Sequence, residues 1–410
     1  MAEALSSNRE VSAGVAAEPA PAGAAPAPVN APGIDTDSAP ARSSRRRWLR
    51  AGAVAGACFL VGAVALFAGA RYGLLLLLGF GFGVLLEGLG FGFAGPIRRM
   101  ITRRDPRGLV AQLFAVGLVA VVALPLLAAR GGELAGAHAP IGWAMILGAF
   151  VFGICMQLVL GCGSGTLVNA GAGDAVGVLA LPFFVLGSFL GAYGLQWWVE
   201  WGTLPVLTTT GLFGAYGGLV VTLGALGGLA LLLRRLAPPE LRRVPRRLLL
   251  AAGLLAGLAL LHLVVAGQPW GVVYGLGLWG AKGAHALGLD LGGSAFWSAP
   301  VHAARVEASV LTDVTSLTNI GILLGVVLVG LFRGLDEPFP RMGARGWLTV
   351  AVAGFGLGYS ARLAFGCNVG AFFSGIGTGS LHGWVWLAAA FAGAWLGLRL
   401  RPRLGLEQAG

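Results

Sequence analysis

The sequence predicts an all-α polytopic membrane protein with about nine to ten spanning helices, inverted repeats, and broken or re-entrant helices at glycine–cysteine motifs. Three observations predict it. Hydrophobic residues fill 57% of the 410 positions and charged residues only 11%, at a mean hydropathy of +0.82, so the chain needs lipid as part of its solvent. Apolar stretches recur at the ~20 residues that a bilayer crossing requires. Two glycine–cysteine segments, far apart in the chain, match at fixed offsets. The 70 glycines follow no three-residue period, which excludes collagen and assigns the excess to packing and irregular backbone.

Residues 1–44 are rich in Ala, Pro, Gly and Ser, too little apolar surface to offset chain entropy, and read as a disordered cytoplasmic tail. This stretch has no charged start followed by an apolar core, so it is not a signal peptide. The membrane domain is expected over 45–404, with spans near 48–67, 72–94, 109–129, 142–160, 175–196, 212–233, 248–266, 308–332, 347–365 and 383–400. Small-residue spacings such as Gly79 and Gly83 suit close helix approach.

Arginines cluster before span 1 (Arg42, Arg45, Arg46, Arg47, Arg50), after span 2 (Arg98 to Arg107), between spans 6 and 7 (Arg234 to Arg247), between spans 8 and 9 (Arg333, Arg341, Arg345) and after span 10 (Arg399, Arg401, Arg403). With ten spans these loops share one side, so both termini are expected in the cytoplasm. The stretch 267–305 is broken by glycines and holds Lys282 and His285. It reads either as a re-entrant hairpin or as two further crossings, and both keep the sidedness. The net charge of +11 sits in short clusters between apolar spans, which fits membrane orientation and not a nucleic-acid partner.

Gly153-Ile-Cys-Met-Gln-Leu-Val-Leu-Gly-Cys162-Gly-Ser-Gly165 and Gly358-Tyr-Ser-Ala-Arg-Leu-Ala-Phe-Gly-Cys367-Asn-Val-Gly370 share Gly, Leu, Gly, Cys and Gly at identical offsets. A degenerate third copy runs from Gly83 to Gly95, with Gly92 at the cysteine position. On the span map the two cysteine motifs enter the bilayer from opposite sides, the signature of inverted repeats, here about 48–233 and 248–403. Broken helices meeting near the midplane would present backbone N–H groups to an anion. Gly161, Gly163, Gly165, Gly366 and Gly370 permit such breaks. Cys162 and Cys367 would face each other across a narrow path, where a thiol is a soft, weakly polar lining.

Residues 153–174 and 363–386, supported by Gly90 to Pro96 and Ser316 to Gly325, resemble the two signature motifs of the YeeE/YedE sulfur-transport family over roughly residues 50–403. The resemblance implies an hourglass of inverted repeats that imports thiosulfate or a related sulfur compound through a cysteine-lined constriction. It carries over to Cys162 and Cys367, with Ser164, Asn169 and Asn368 beside them in the motifs. Thiosulfate importers of the family have a further cysteine where this chain has Gly92, and the Gly-Cys-Gly-Ser-Gly wording also resembles the YedE branch associated with selenium compounds.

Glu87, Gln157 and Arg362 stand five residues before Gly92, Cys162 and Cys367. An ionisable residue in a span is a functional candidate by default: Arg362 either attracts an anion or pairs structurally with Glu87. Cys155 lies two helical turns before Cys162 and either extends its face or packs; Cys58 has no repeated context and reads as packing. The five histidines lack paired spacing for zinc or haem, and no phosphate-binding loop is present, so neither cofactor nor metal is expected. The expected function is non-enzymatic uptake of a small sulfur-containing anion across the cytoplasmic membrane. The alternatives are a selenium-compound transporter, or a membrane thiol relay that hands sulfur to a cytosolic sulfur-carrier protein.

Overall fold

The computed structural model describes residues 39–333 and 342–406, with side chains from Trp48 onward. The part of the tail at 1–38 lies outside the described residues. Helix α1 (Ala39–Phe67) takes in the last six residues of the expected tail. From Trp48 to Phe67, α1 presents most of its surface outward.

Among the described residues the regular structure is helical, with only two isolated β-bridges, and ten helical segments are long and apolar enough to cross a membrane. After α1 come α2 (Ala70–Gly88), α3 (Ala94–Arg103) and α4 (Arg107–Ala129), then α5 (Trp143–Leu158), α6 (Gly163–Gly171) and α7 (Ala175–Tyr193). The short α8 (Leu195–Val199) and long α9 (Thr209–Arg235) lead to α10 (Arg246–Ala266), α11 (Val273–Ala286), α12 (Pro300–Glu307) and α13 (Val314–Arg333). The chain closes with α14 (Ala344–Leu363), a π-helical segment (Asn368–Gly375) and α15 (His382–Leu400). Two expected spans shift: α2 stops at Gly88 because the chain breaks there, and α13 starts at Val314, where Asp313 Oδ1 accepts the Ser316 N–H at 2.7 Å.

The stretch 267–305 is neither of two further crossings. α11, at 14 residues, is shorter than the ~20 that a bilayer needs. It follows a break at 267–272 and is joined through α12 to α13. The result is four units of long helix, break and short helix: α2 to α3, α5 to α6, α10 to α11, and α14 to the π-helical segment.

Packing relates these units in pairs. α5 packs on α15 and α7 on α14, and α5 also packs on α14; exchanging α5 with α14 and α7 with α15 leaves the set unchanged. α2 with α13 and α4 with α10 form the second such set. The contacts repeat in detail. A methyl group on Gly153 would strike the Ala390 carbonyl and one on Gly393 the Phe150 carbonyl. Across the other interface Gly358 meets Phe184 and Gly187 meets Phe355 in the same way. Helices without side chains at these crossings bring their backbones together, a packing mode that needs no hydrophobic driving force in lipid. Gly79 and Gly83 do the same against Thr318 and Ile322 of α13.

Candidate functional site

The two cysteine breaks share one backbone path. Cys162 has φ −85° and ψ −168°; Cys367 has φ −94° and ψ −168°. Two residues earlier, Leu160 (φ 57°) and Phe365 (φ 55°) occupy the left-handed region, and Gly90 (φ 66°) holds the corresponding position in the third copy. A left-handed residue just past a helix end lets a following N–H reach back to the last turn. The Phe91 N–H bonds to Leu86 O, and the Gly366 N–H to Ala361 O. Left-handed leucine and phenylalanine are uncommon; the repeat of the same strain twice marks the breaks as built features.

Each break then starts a short helical segment. The Cys162 sulfur caps α6, accepting the Gly165 N–H at 3.5 Å and sharing a 3.4 Å contact with Ser164 Oγ, while Thr166 Oγ1 donates to Cys162 O at 2.8 Å. Cys162 and Cys367 are both fully buried. The second cysteine lies against the first break: a methyl group on Gly163 would sit 2.9 Å from the Cys367 sulfur. Beside it, Asn368 is fully buried with neither amide atom hydrogen-bonded. Leaving such a group unpaired costs about 1–3 kcal/mol, and buried polar groups are seldom left so.

Two cavities are lined in part by the cysteine breaks. One, of about 100 Å³, is lined by Phe91, Gly92 and Phe93 from the third copy and by Gly161, Ser164, Gly165 and Asn169 from the first cysteine break. The other, of about 350 Å³, is lined by Val272, Tyr274, Phe296, His302 and Arg362 together with Gly366 and Gly370 of the second cysteine break. Each cavity therefore joins one cysteine break to one break that lacks cysteine.

Those cysteine-free breaks are held alike. Gln112 Nε2 of α4 donates to Gly92 O at 2.9 Å, and Asn319 Nδ2 of α13 donates to Val272 O at 2.9 Å. Both amides are fully buried and keep an unpartnered oxygen. Trp270 packs between the breaks, stacked on Phe82 at 4.0 Å and edge-on to Phe373 at 6.1 Å.

Among the residues expected from sequence, Gly161, Ser164, Gly165 and Asn169 line the smaller cavity and Gly366 and Gly370 the larger, while Cys162, Cys367 and Asn368 are fully buried and Gly163 lies against Cys367. Arg362 lines the larger cavity. It does not pair with Glu87: Glu87 Oε1 lies 3.8 Å from Arg333 Nη1, whereas the Arg362 guanidinium stacks over Phe296 at 4.6 Å and Tyr274 at 5.8 Å. Both stand at the C-terminal end of their helices, Glu87 in α2 and Arg362 in α14, and each has partners of its own. Cys155 packs on α14, where a methyl group on Gly356 would sit 2.8 Å from its sulfur, and Cys58 is exposed. Sequence reasoning missed Gln112, Asn319, Tyr274, Phe296 and His302. Asn319 lay inside the stretch Ser316 to Gly325 that carried the resemblance; Tyr274 and His302 meet only through folding.

The Sulphur transport family pattern matches residues 90–396. The chain is 34% identical over 96 residues to the "Probable transporter YedE" of Escherichia coli, covering 23% of this chain and 24% of that one. It is 30% identical over 157 residues to the Salmonella typhimurium protein of the same name, covering 38% and 37%. The matched segments thus span about a quarter and somewhat over a third of those two relatives. The "Thiosulfate transporter TsuA" of Spirochaeta thermophila aligns over 341 residues at 24% identity, 78% of this chain and 96% of that one. With a family match running from the Gly92 break to the last helix, on a fold of paired broken helices, the chain belongs to the Sulphur transport family.

Proposed function

We propose that the protein conducts a small sulfur-containing anion, thiosulfate being the leading candidate, through the septum between the two cavities, with Cys162 and Cys367 as the groups the solute passes. The observation that carries the reading is the buried pair of cysteine breaks, each contributing backbone to a cavity of its own, with an unpaired Asn368 amide next to Cys367. Neutral thiols, backbone N–H groups and that amide replace part of an anion's hydration without the deep trap that a paired charge would make. The aligned TsuA supports thiosulfate as the class of solute.

The arginine-rich face is proposed as cytoplasmic, which places the smaller cavity inside and the larger one outside. Non-enzymatic transport is favoured over a thiol relay because the hydrogen-bonding partners of Cys162 are Ser164 and the Gly165 N–H, neutral groups that do not supply the positive charge by which reactive thiols are usually activated. Uptake of labelled thiosulfate into cells lacking other importers tests the reading. Cys162→Ala and Cys367→Ala should each reduce uptake by roughly tenfold or more, the scale of losing a polar contact made in the narrowest passage. Undiminished uptake in both variants would overturn the cysteine path.

A further inference from the structure

The larger cavity has a chemistry its counterpart lacks. The smaller one is lined by apolar side chains, glycine backbone, Ser164 and Asn169. The larger one contains the Arg362 guanidinium, set against the faces of Phe296 and Tyr274. Arg305, on α12, lies over the same Tyr274 ring at 5.4 Å. One aromatic ring therefore carries two guanidinium groups, an arrangement that repels itself unless something negative compensates. Asp313 compensates Arg305, at 3.4 Å from its Nη1, but that carboxylate also caps α13. Among the described ion pairs nothing compensates Arg362, and its buried Nε has no hydrogen-bond partner.

The surrounding groups fix the cluster in place. Phe296 stacks on the His302 ring at 4.0 Å and 17°. Tyr274 Oη and His302 Nδ1 are 3.0 Å apart. Burial, with Arg362 and Arg305 nearby, pushes the His302 imidazole down from its usual range, so at neutral pH the ring that shares this hydrogen bond with Tyr274 is uncharged. The local positive charge therefore comes from the arginines. Lys282 Nζ is occupied, donating to the carbonyls of Val306 and Ala308 at the end of α12.

We infer that Arg362, with Arg305, Tyr274 and His302 around it, forms an anion-selection site at the mouth of the larger cavity, built for a doubly charged oxyanion of sulfur or its selenium analogue. The stacked rings hold the planar guanidinium in one orientation, so a two-oxygen anion meets donors that need no further ordering. The cavity then leads the anion to Gly366 and Gly370 beside Cys367. Tyr274 and His302 are positioning residues; Arg362 is the group that touches the anion. The inference rests on the proposed transport of such an anion, yet binding at this mouth and passage through the septum are separable measurements.

The experiment titrates thiosulfate, sulfate and selenate, with chloride as control, into the full-length protein in detergent by isothermal calorimetry, alongside uptake in cells. Wild type should bind at least one of the three divalent anions. Arg362→Gln should weaken that binding by roughly tenfold or more, the loss of a charge-assisted hydrogen bond. Arg362→Lys, which keeps the charge and guards against a misfolded Gln variant, should fall between. Cys367→Ala should bind within about twofold of wild type while losing uptake. In uptake, Arg362→Lys should raise KM more than it lowers the maximal rate. If wild type binds none of the anions, or both Arg362 variants bind as wild type does, the site is refuted. Cysteine-dependent uptake in that case leaves the transport proposal standing; Arg362-dependent binding with cysteine-independent uptake refutes the septum reading alone.

Discussion

The Cys367 sulfur lies against Gly163, the residue that follows Cys162, so that the smallest side chain added there would sit 2.9 Å from sulfur. The two inverted breaks thus meet through a thiol on one side and bare backbone on the other. Gly163→Ala forces Cys367 or α6 to move, and overpacking of this kind costs about 1–3 kcal/mol. The variant is expected to fold, with a lowered melting temperature in detergent, and to lose roughly tenfold or more of labelled-thiosulfate uptake. Wild-type uptake with a lowered melting temperature would show that this contact holds the fold together and lies off the path.

Cys155 makes the opposite prediction. Its sulfur faces Gly356 across the α5–α14 interface, and it lines neither of the two cavities beside the septum. Cys155→Ala should therefore leave uptake within about twofold of wild type while removing a buried sulfur from the core, a truncation that costs on the order of 1 kcal/mol. Loss of uptake at unchanged melting temperature would put Cys155 on the path after all.

Ten apolar stretches sufficed to place the spans, because lipid imposes one length on every crossing, and the Gly-Cys pairs marked two of the breaks directly. The break at 267–272 was legible only as an interruption open to two readings, a re-entrant hairpin or two further crossings. It shares backbone purpose with the cysteine breaks and keeps the glycine, Gly271, but Val272 stands at the helix N-cap where Cys162 and Cys367 stand elsewhere. The partners that hold the cysteine-free breaks escaped for a related reason: Gln112 and Asn319 lie on the following helix and not beside the motif. Arg362 was legible as an ionisable residue in a span, yet its surroundings were not, because Tyr274, Phe296 and His302 come from a stretch that read only as interrupted. Of the two readings left open for it, pairing with Glu87 is set aside by the contact of Glu87 with Arg333.

Asp105, in the turn between α3 and α4, links acidity to stability on the arginine-rich face. Its Oδ1 and Oδ2 accept from Arg107 Nε and Nη2, both at 2.9 Å, and Arg99 stands 4.0 Å away. The Arg107 hydrogen bond holds the carboxyl below the usual carboxylate range. A depressed folded pKa stabilises above the unfolded value and is lost as pH falls through the folded one. Asp105→Asn should therefore melt a few degrees below wild type at pH 7, and the gap should close as pH drops below ~4. A gap independent of pH would assign the effect to the neutral hydrogen bonds of the turn.

Gly92 offers a test of which way the molecule faces. A methyl group placed there meets nothing within 4 Å, and the position lines the smaller cavity, so Gly92→Cys should be accepted without strain. In a Cys58→Ser background, which removes the exposed native thiol, the remaining native cysteines are buried and the new one is the accessible target. A membrane-impermeant maleimide should label Gly92→Cys in inside-out vesicles and not in intact cells, because the cavity is proposed to open on the arginine-rich, cytoplasmic side. Adding thiosulfate should slow the labelling if the solute occupies this cavity on its way through. Labelling from the outer face would reverse the proposed orientation, and labelling from neither face would show that the smaller cavity is closed to solution.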